Sequence, residues 1–160
     1  PFSFVEGKRP DGSPRAIGYA IDLCGEIADD VQAAIGRPVR IRYEPVTAET
    51  RIPLMANGTV DLECGSTTNN AERQKQVSFT NSHFLTASRY VTKKANKINS
   101  IDDLKGKTVV STAGTTNIKQ LTEANLARGL SVNIIPAKDH AEAFLMVETD
   151  RAVAFVMDDI

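Results

Sequence analysis

Apolar positions along this chain switch between two periods. Ile21, Cys24, Ile27, Ala28, Val31 and Ile35 recur at helical spacing, which places them along one face of a helix. Gly36 and Pro38 end that segment, because glycine accepts the left-handed cap and proline cannot extend the ladder. Val39, Ile41 and Tyr43 then alternate with arginines, predicting a half-buried strand. A short helix over 52–56 stops at Asn57-Gly58, a short strand covers 61–64, and an extended stretch over 85–92 runs into the polar segment 93–97.

A second alternation follows. Ser100 is placed to cap a short helix, with Asp102 and Asp103 in its first turn and Gly106 at its end. Thr108-Val109-Val110-Ser111 reads as a strand. A turn containing Gly114 leads to a helix through Ile118, Leu121 and Leu126, and a strand over 132–135 comes next. Asp139 caps a helix reaching about Glu148, and 152–157 is a buried strand. Short strands separated by helices predict α/β architecture with a mostly parallel sheet. The polar stretch near 93–99 divides the 160 residues into a first lobe, 1–92, and a second, 93–160.

Composition narrows the function. Nineteen basic and twenty acidic side chains nearly cancel, and no basic stripe is present to neutralise a phosphate backbone, so nucleic acid is not an expected partner. The longest apolar run, Ala152 to Met157, is far shorter than the ~20 residues of a membrane helix. The chain opens on Pro1-Phe2-Ser3-Phe4 without a leader; a removed signal peptide and a trimmed chain both fit. Cys24 and Cys64 have neither CxxC spacing nor histidines in metal register. One disulfide and two buried thiols both fit, and unbonded buried thiols are the expectation.

Two strand-to-helix turns carry the candidate chemistry. Cys64-Gly65-Ser66-Thr67-Thr68-Asn69-Asn70 places three hydroxyls at a strand end with Arg73 just beyond, and Ser111-Thr112-Ala113-Gly114-Thr115-Thr116-Asn117 repeats the design. In open α/β sheets, ligands sit beyond the carboxyl ends of strands, where helix starts offer N–H groups to anions. Two such turns, one per lobe, suggest a cleft gripping one anionic ligand from both sides. Either turn alone is more often a capped turn with surface hydroxyls. Likewise, Arg51 or Arg73 alone reads as a solvated helix arginine, and His140 as a surface histidine beside a cap. Asp158 and Asp159 end a buried strand, where a carboxylate needs a partner. Neither a phosphate-loop glycine pattern nor a nucleophile elbow occurs. Two histidines without HExxH leave little for a metal, so neither catalysis nor a cofactor is expected.

At these residues the sequence resembles the family-3-type amino-acid-binding proteins of ABC importers. The resemblance runs in order through Arg51-Ile52-Pro53-Leu54, Asn57 to Asn70, Glu72 to Gln76, Asp103 to Lys107, Gly114-Thr115-Thr116, Ala137 to His140 and Arg151 to Asp159. It implies a type II periplasmic-binding-protein fold, two α/β lobes with the ligand closed between them. It also implies a periplasmic location after signal-peptide removal and a membrane permease as partner. By the family pattern, Ser66, Thr68 and Arg73 hold the ligand α-carboxylate and Asp158 its ammonium. Arg51, Thr116 and His140 line the pocket, the arginine and histidine facing the ligand side chain. Two arginines against one aspartate match a ligand with two carboxylates and one ammonium, so L-glutamate or L-aspartate is expected. A neutral ligand would leave one arginine desolvated, at a cost of roughly 3 kcal/mol. The family has a further arginine just before the position of Pro1 and continues past Ile160, so an N-terminal piece is expected. A cyclohexadienyl-dehydratase-like enzyme and a sensory ligand-binding domain are the alternatives on this scaffold.

Overall fold

A computed structural model describes residues 2–160. The chain divides into two compact units: one runs up to Val46 and resumes over Arg51–Phe79, and the other takes Thr47–Thr50 and Thr80–Ile160.

The first unit begins with a hairpin that the hydrophobic pattern alone does not reveal. Strands β1 (Phe4–Lys8) and β2 (Pro14–Ile17) pair antiparallel, with an irregular register between Val5 and Lys8. The signal lies in the turn, Arg9-Pro10-Asp11-Gly12, where proline presets the second position and glycine the fourth. The Gly12 N–H closes it on the Arg9 carbonyl at 2.9 Å. Helix α1 (Tyr19–Ile35) follows the expected stripe and ends at Gly36, which is left-handed and donates to the Gln32 carbonyl. Helix α2 (Arg51–Ala56) is likewise as expected. The strands expected over 39–43 and 61–64 are absent, however. Both segments lack a paired ladder; the alternation marks a strand-competent segment, but a strand needs a neighbour to hydrogen-bond. Together with α1 and the hairpin they line an open cavity of about 560 Å³. Ile27, Val31, Ile41 and Leu62 remain exposed there.

Cys24 and Cys64 are bonded to each other, with an S–S distance of 2.11 Å and Cα atoms 6.2 Å apart. This overturns the expectation of free thiols. Sequence spacing says nothing about a pair 40 residues apart; the inner face of α1 brings Cys24 alongside the end of the 60–64 segment.

The second unit is well packed. Strands β3 (Ser88–Thr92), β4 (Thr108–Thr112), β5 (Asn133–Ala137) and β6 (Ala154–Asp158) form a sheet of order β3-β6-β4-β5. Only β3 is antiparallel to its neighbour. That pairing carries residues 88–92 into this unit, although the sequence pattern groups them with the first half. Helix α3 (Thr116–Arg128) and helix α4 (His140–Glu148) lie over two cores formed by neighbouring strand residues. Val109, Ala154 and Val156 join Leu121, while Val110 and Phe155 join Ala143 and Met146. Adjacent strand residues point to opposite faces, so the sheet is covered on both sides. Each buried valine or phenylalanine here contributes about 1.5–3 kcal/mol.

Candidate functional site

Within the first unit, Ser66, Thr68 and Arg73 gather around one turn. Ser66 and Thr68 are exposed, whereas the Thr67 hydroxyl between them is buried with no hydrogen-bond partner among the described residues. Alternation along extended backbone therefore presents Ser66 and Thr68 outward together. Arg73 folds back onto this turn: its Nη1 donates to the Thr68 carbonyl at 2.9 Å, and its backbone N–H donates to Asn70 Oδ1 at 2.9 Å. Half-burial pulls the Arg73 guanidinium below its ordinary pKa, opposed by the nearby Glu63 and Glu72 carboxylates. A guanidinium remains charged even so, and a partly desolvated one attracts an anion more strongly than a solvated one. No α-helix starts after this turn; Arg73–Lys75 is a single 3-10 turn. The first turn therefore acts through side chains rather than a helix terminus, which corrects the expected symmetry with the second. Arg51 begins α2 and is 9% exposed.

In the second unit, the candidate residues stand at the carboxyl edge of the sheet. β4, β5 and β6 run parallel, so Thr112, Ala137 and Asp158 end on the same side. Thr115 caps α3, accepting from the Ile118 N–H at 3.3 Å and donating to the Thr112 carbonyl at 2.6 Å. Thr116 is the first helical residue and half-buried. Asp139 caps α4 through the Glu142 N–H at 2.8 Å, which sets His140 as the first residue of that helix. The His140 Nδ1 shares a 2.7 Å hydrogen bond with the buried Thr112 hydroxyl, and its ring lies 5.9 Å from Phe155. Asp158 Oδ1 accepts from the Asn117 amide at 3.0 Å.

Three residues that sequence reasoning passed over thus support the ones it chose. Thr112 holds His140; Asn117 holds Asp158, and Ser88 accepts from the same Asn117 amide. Thr112 and Asn117 lie within the Ser111–Asn117 turn, and their place in a polar turn at a strand end was the available signal. Ser88 had none. Chemically, the first unit presents hydroxyls and guanidinium groups, suited to carboxylate. The second presents a carboxylate, an imidazole and a hydroxyl, suited to an ammonium and a further anionic group. Among the described residues, no group of His, Cys, Asp and Glu is arranged to hold a metal ion.

The family model for bacterial extracellular solute-binding proteins, family 3, matches residues 1–158. The L-glutamate/L-aspartate-binding protein of Pseudomonas aeruginosa is 51% identical over 99% of this chain and 52% of its own length. Among solved structures, an ancestral arginine-binding protein bound to arginine superposes with a TM-score of 0.83 at 30% identity, over 99% of this chain and 65% of that one. An ancestral amino acid-binding protein described as a precursor of cyclohexadienyl dehydratase gives 0.81 at 30%, over 99% and 66%. The chain spans about half the length of the curated relatives it matches.

Proposed function

Because this chain belongs to the bacterial extracellular solute-binding proteins of family 3, we propose that the protein carrying it captures L-glutamate or L-aspartate for import. The two units are the beginnings of two lobes that close on the ligand, and a membrane permease of an ABC importer receives it. The location is the periplasm, reached by way of a signal peptide that is then removed. Ser66, Thr68 and Arg73 take the α-carboxylate, Asp158 the ammonium, and Arg51, Thr116 and His140 surround the side chain.

One observation carries this reading: the charges are sorted between the units, with Arg51 and Arg73 in one and Asp158 with His140 in the other. Two cations and one anion complement a ligand with two carboxylates and one ammonium. Relatives over the same region, from Pseudomonas aeruginosa, Salmonella typhimurium and Escherichia coli, are binding proteins for glutamate and aspartate, which supports the acidic ligand over a neutral one. We read the protein as a binder, not an enzyme. Ser66, Thr68, Arg73 and Thr116 at the two turns suit the anchoring of an amino acid, which supports the binder over an enzyme.

Calorimetric titration of the full-length protein with L-glutamate, L-aspartate and L-glutamine tests this. The acidic ligands bind at least about a hundredfold more tightly, since a desolvated arginine left without its carboxylate costs roughly 3 kcal/mol. Equal affinity for glutamate and glutamine rejects the acidic pocket while leaving the fold intact.

A further inference from the structure

Around Asp158 the polar side chains form a chain with one internally consistent direction. Ser88 and Asp158 face each other across the antiparallel β3–β6 ladder. Above them Asn117, the second residue of α3 and only 5% exposed, bridges the two. Its amide nitrogen donates to Ser88 Oγ at 2.8 Å and to Asp158 Oδ1 at 3.0 Å. Ser88 in turn donates its single hydroxyl hydrogen to Gln120 Oε1 at 2.6 Å, so toward Asn117 it can only accept. Flipping the amide would set a carbonyl oxygen against the Asp158 carboxylate and two acceptors against each other at Ser88. Both neighbours therefore impose the same orientation, in which the Asp158 Oδ1 accepts. The start of α3 adds a favourable dipole for the carboxylate.

We propose that Asn117 is a positioning residue that holds the Asp158 carboxylate in one rotamer, with Ser88 and Gln120 locking the amide. The proposal rests on the reading of Asp158 as the anchor for the ligand ammonium, and names what makes that anchor rigid. A carboxylate on the last residue of a strand is otherwise free to turn about its side-chain bonds, and each ligand would then have to order it on binding. The neighbouring Asp159 is occupied differently: its Oδ1 accepts from the Ala87 N–H at 3.0 Å, and Arg89 lies 3.5 Å from its Oδ2. The consecutive aspartates thus divide the work, Asp159 fastening the entry to β3 and Asp158 facing the site.

The test compares L-glutamate with glutarate, which keeps both carboxylates and lacks the ammonium. Affinities are measured on the full-length protein by calorimetry, with displacement of bound glutamate for weak binding. Asn117→Ala is expected to weaken glutamate about tenfold, the effect of losing one charge-assisted hydrogen bond, while glutarate changes less than about twofold. Ser88→Ala, a smaller change that also serves if Asn117→Ala does not fold, narrows the glutamate-to-glutarate ratio by about two- to fivefold. A merely structural role for Asn117 would lower both ligands together and leave the ratio unchanged. If Asp158→Asn collapses the ratio while the Asn117 and Ser88 variants preserve it, the positioning role is overturned and the ammonium anchor stands. If Asp158→Asn itself preserves the ratio, the anchor falls, and the positioning role with it.

Discussion

Arg73 and Arg51 are both arginines at helix-like starts in the first unit, yet substituting them should give different results. Arg73 bends onto the Ser66–Thr68 turn through the Thr68 carbonyl, where an α-carboxylate common to all amino acids would bind. Arg73→Ala therefore weakens glutamate, aspartate and glutamine alike, by about 10- to 100-fold for one charged contact. Arg51→Ala and His140→Ala should instead narrow the gap between glutamate and glutamine, since in the proposed site both groups address the ligand side chain. Titrating the same three ligands decides it: a uniform loss in all three variants would remove the distinction. Gly114 makes a separate prediction. Its φ of 72° is left-handed, and a Cβ there would come within 2.8 Å of the Ala48 carbonyl group and Glu49 Cα. Gly114→Ala should cost about 1–3 kcal/mol in denaturant unfolding; an unchanged midpoint would show that 47–50 yields freely. At this scale, the sequence made the end groups visible but not their supports. Asp158 and His140 stand out because each ends or begins an element, whereas their partners Asn117 and Thr112 lie 41 and 28 residues away in the chain. Side-chain pairing over such separations is a product of the fold, with no local pattern to announce it.

Helices and the buried strands β4, β5 and β6 were legible, whereas the β1–β2 hairpin and the fate of strand-like segments without a ladder partner were not. α1, α3 and α4 carry their own caps and periodicity, and all appear within a few residues of where the pattern puts them. The segments 39–43 and 61–64 carry strand periodicity without a ladder partner and remain unpaired. The short helix at Ile101–Leu104 shows how complete a local signal can be. Asp103 Oδ2 accepts from the backbone N–H groups of Asn99 and Ser100 and from the Ser100 hydroxyl. The backbone bonds from Asn99 and Ser100, then the Ser100 hydroxyl, hold the Asp103 carboxyl below its ordinary value of 3.8. A carboxyl depressed by folding stabilises the protein above its unfolded pKa and loses that contribution as pH falls through the folded value. Asp103→Asn should therefore lower the melting temperature at pH 7, and the difference from the parent should shrink once pH drops below 3.8. A gap that stays constant down to about pH 2 would mean the cap works through shape rather than charge.

On the scale of the whole molecule, the two units differ in what holds them together. The second has buried side chains on both faces of its sheet. The first has an open apolar cavity, exposed Ile27, Val31 and Leu62, and one covalent link, Cys24–Cys64. A cross-link stabilises by removing conformations from the unfolded chain rather than by adding contacts to the folded one. For a loop of 40 residues, the chain-entropy estimate is about 4 kcal/mol. Replacing both cysteines by serine in the full-length protein, or reducing the bond with dithiothreitol, should lower the melting temperature of the first unit by several degrees or more. Hydrogen exchange gives the discriminating readout. Protection of the 20–32 amides in α1 falls, while that of Val109 and Val110 in β4 holds, because no cysteine lies in the second unit. The loss should also reach the turn proposed to hold the ligand carboxylate, since Cys64 immediately precedes Gly65-Ser66; on that reading glutamate affinity drops on reduction even where the protein stays folded. Equal melting temperatures with and without reductant, together with unchanged glutamate affinity, would show that the link neither stabilises the first unit nor steadies that turn.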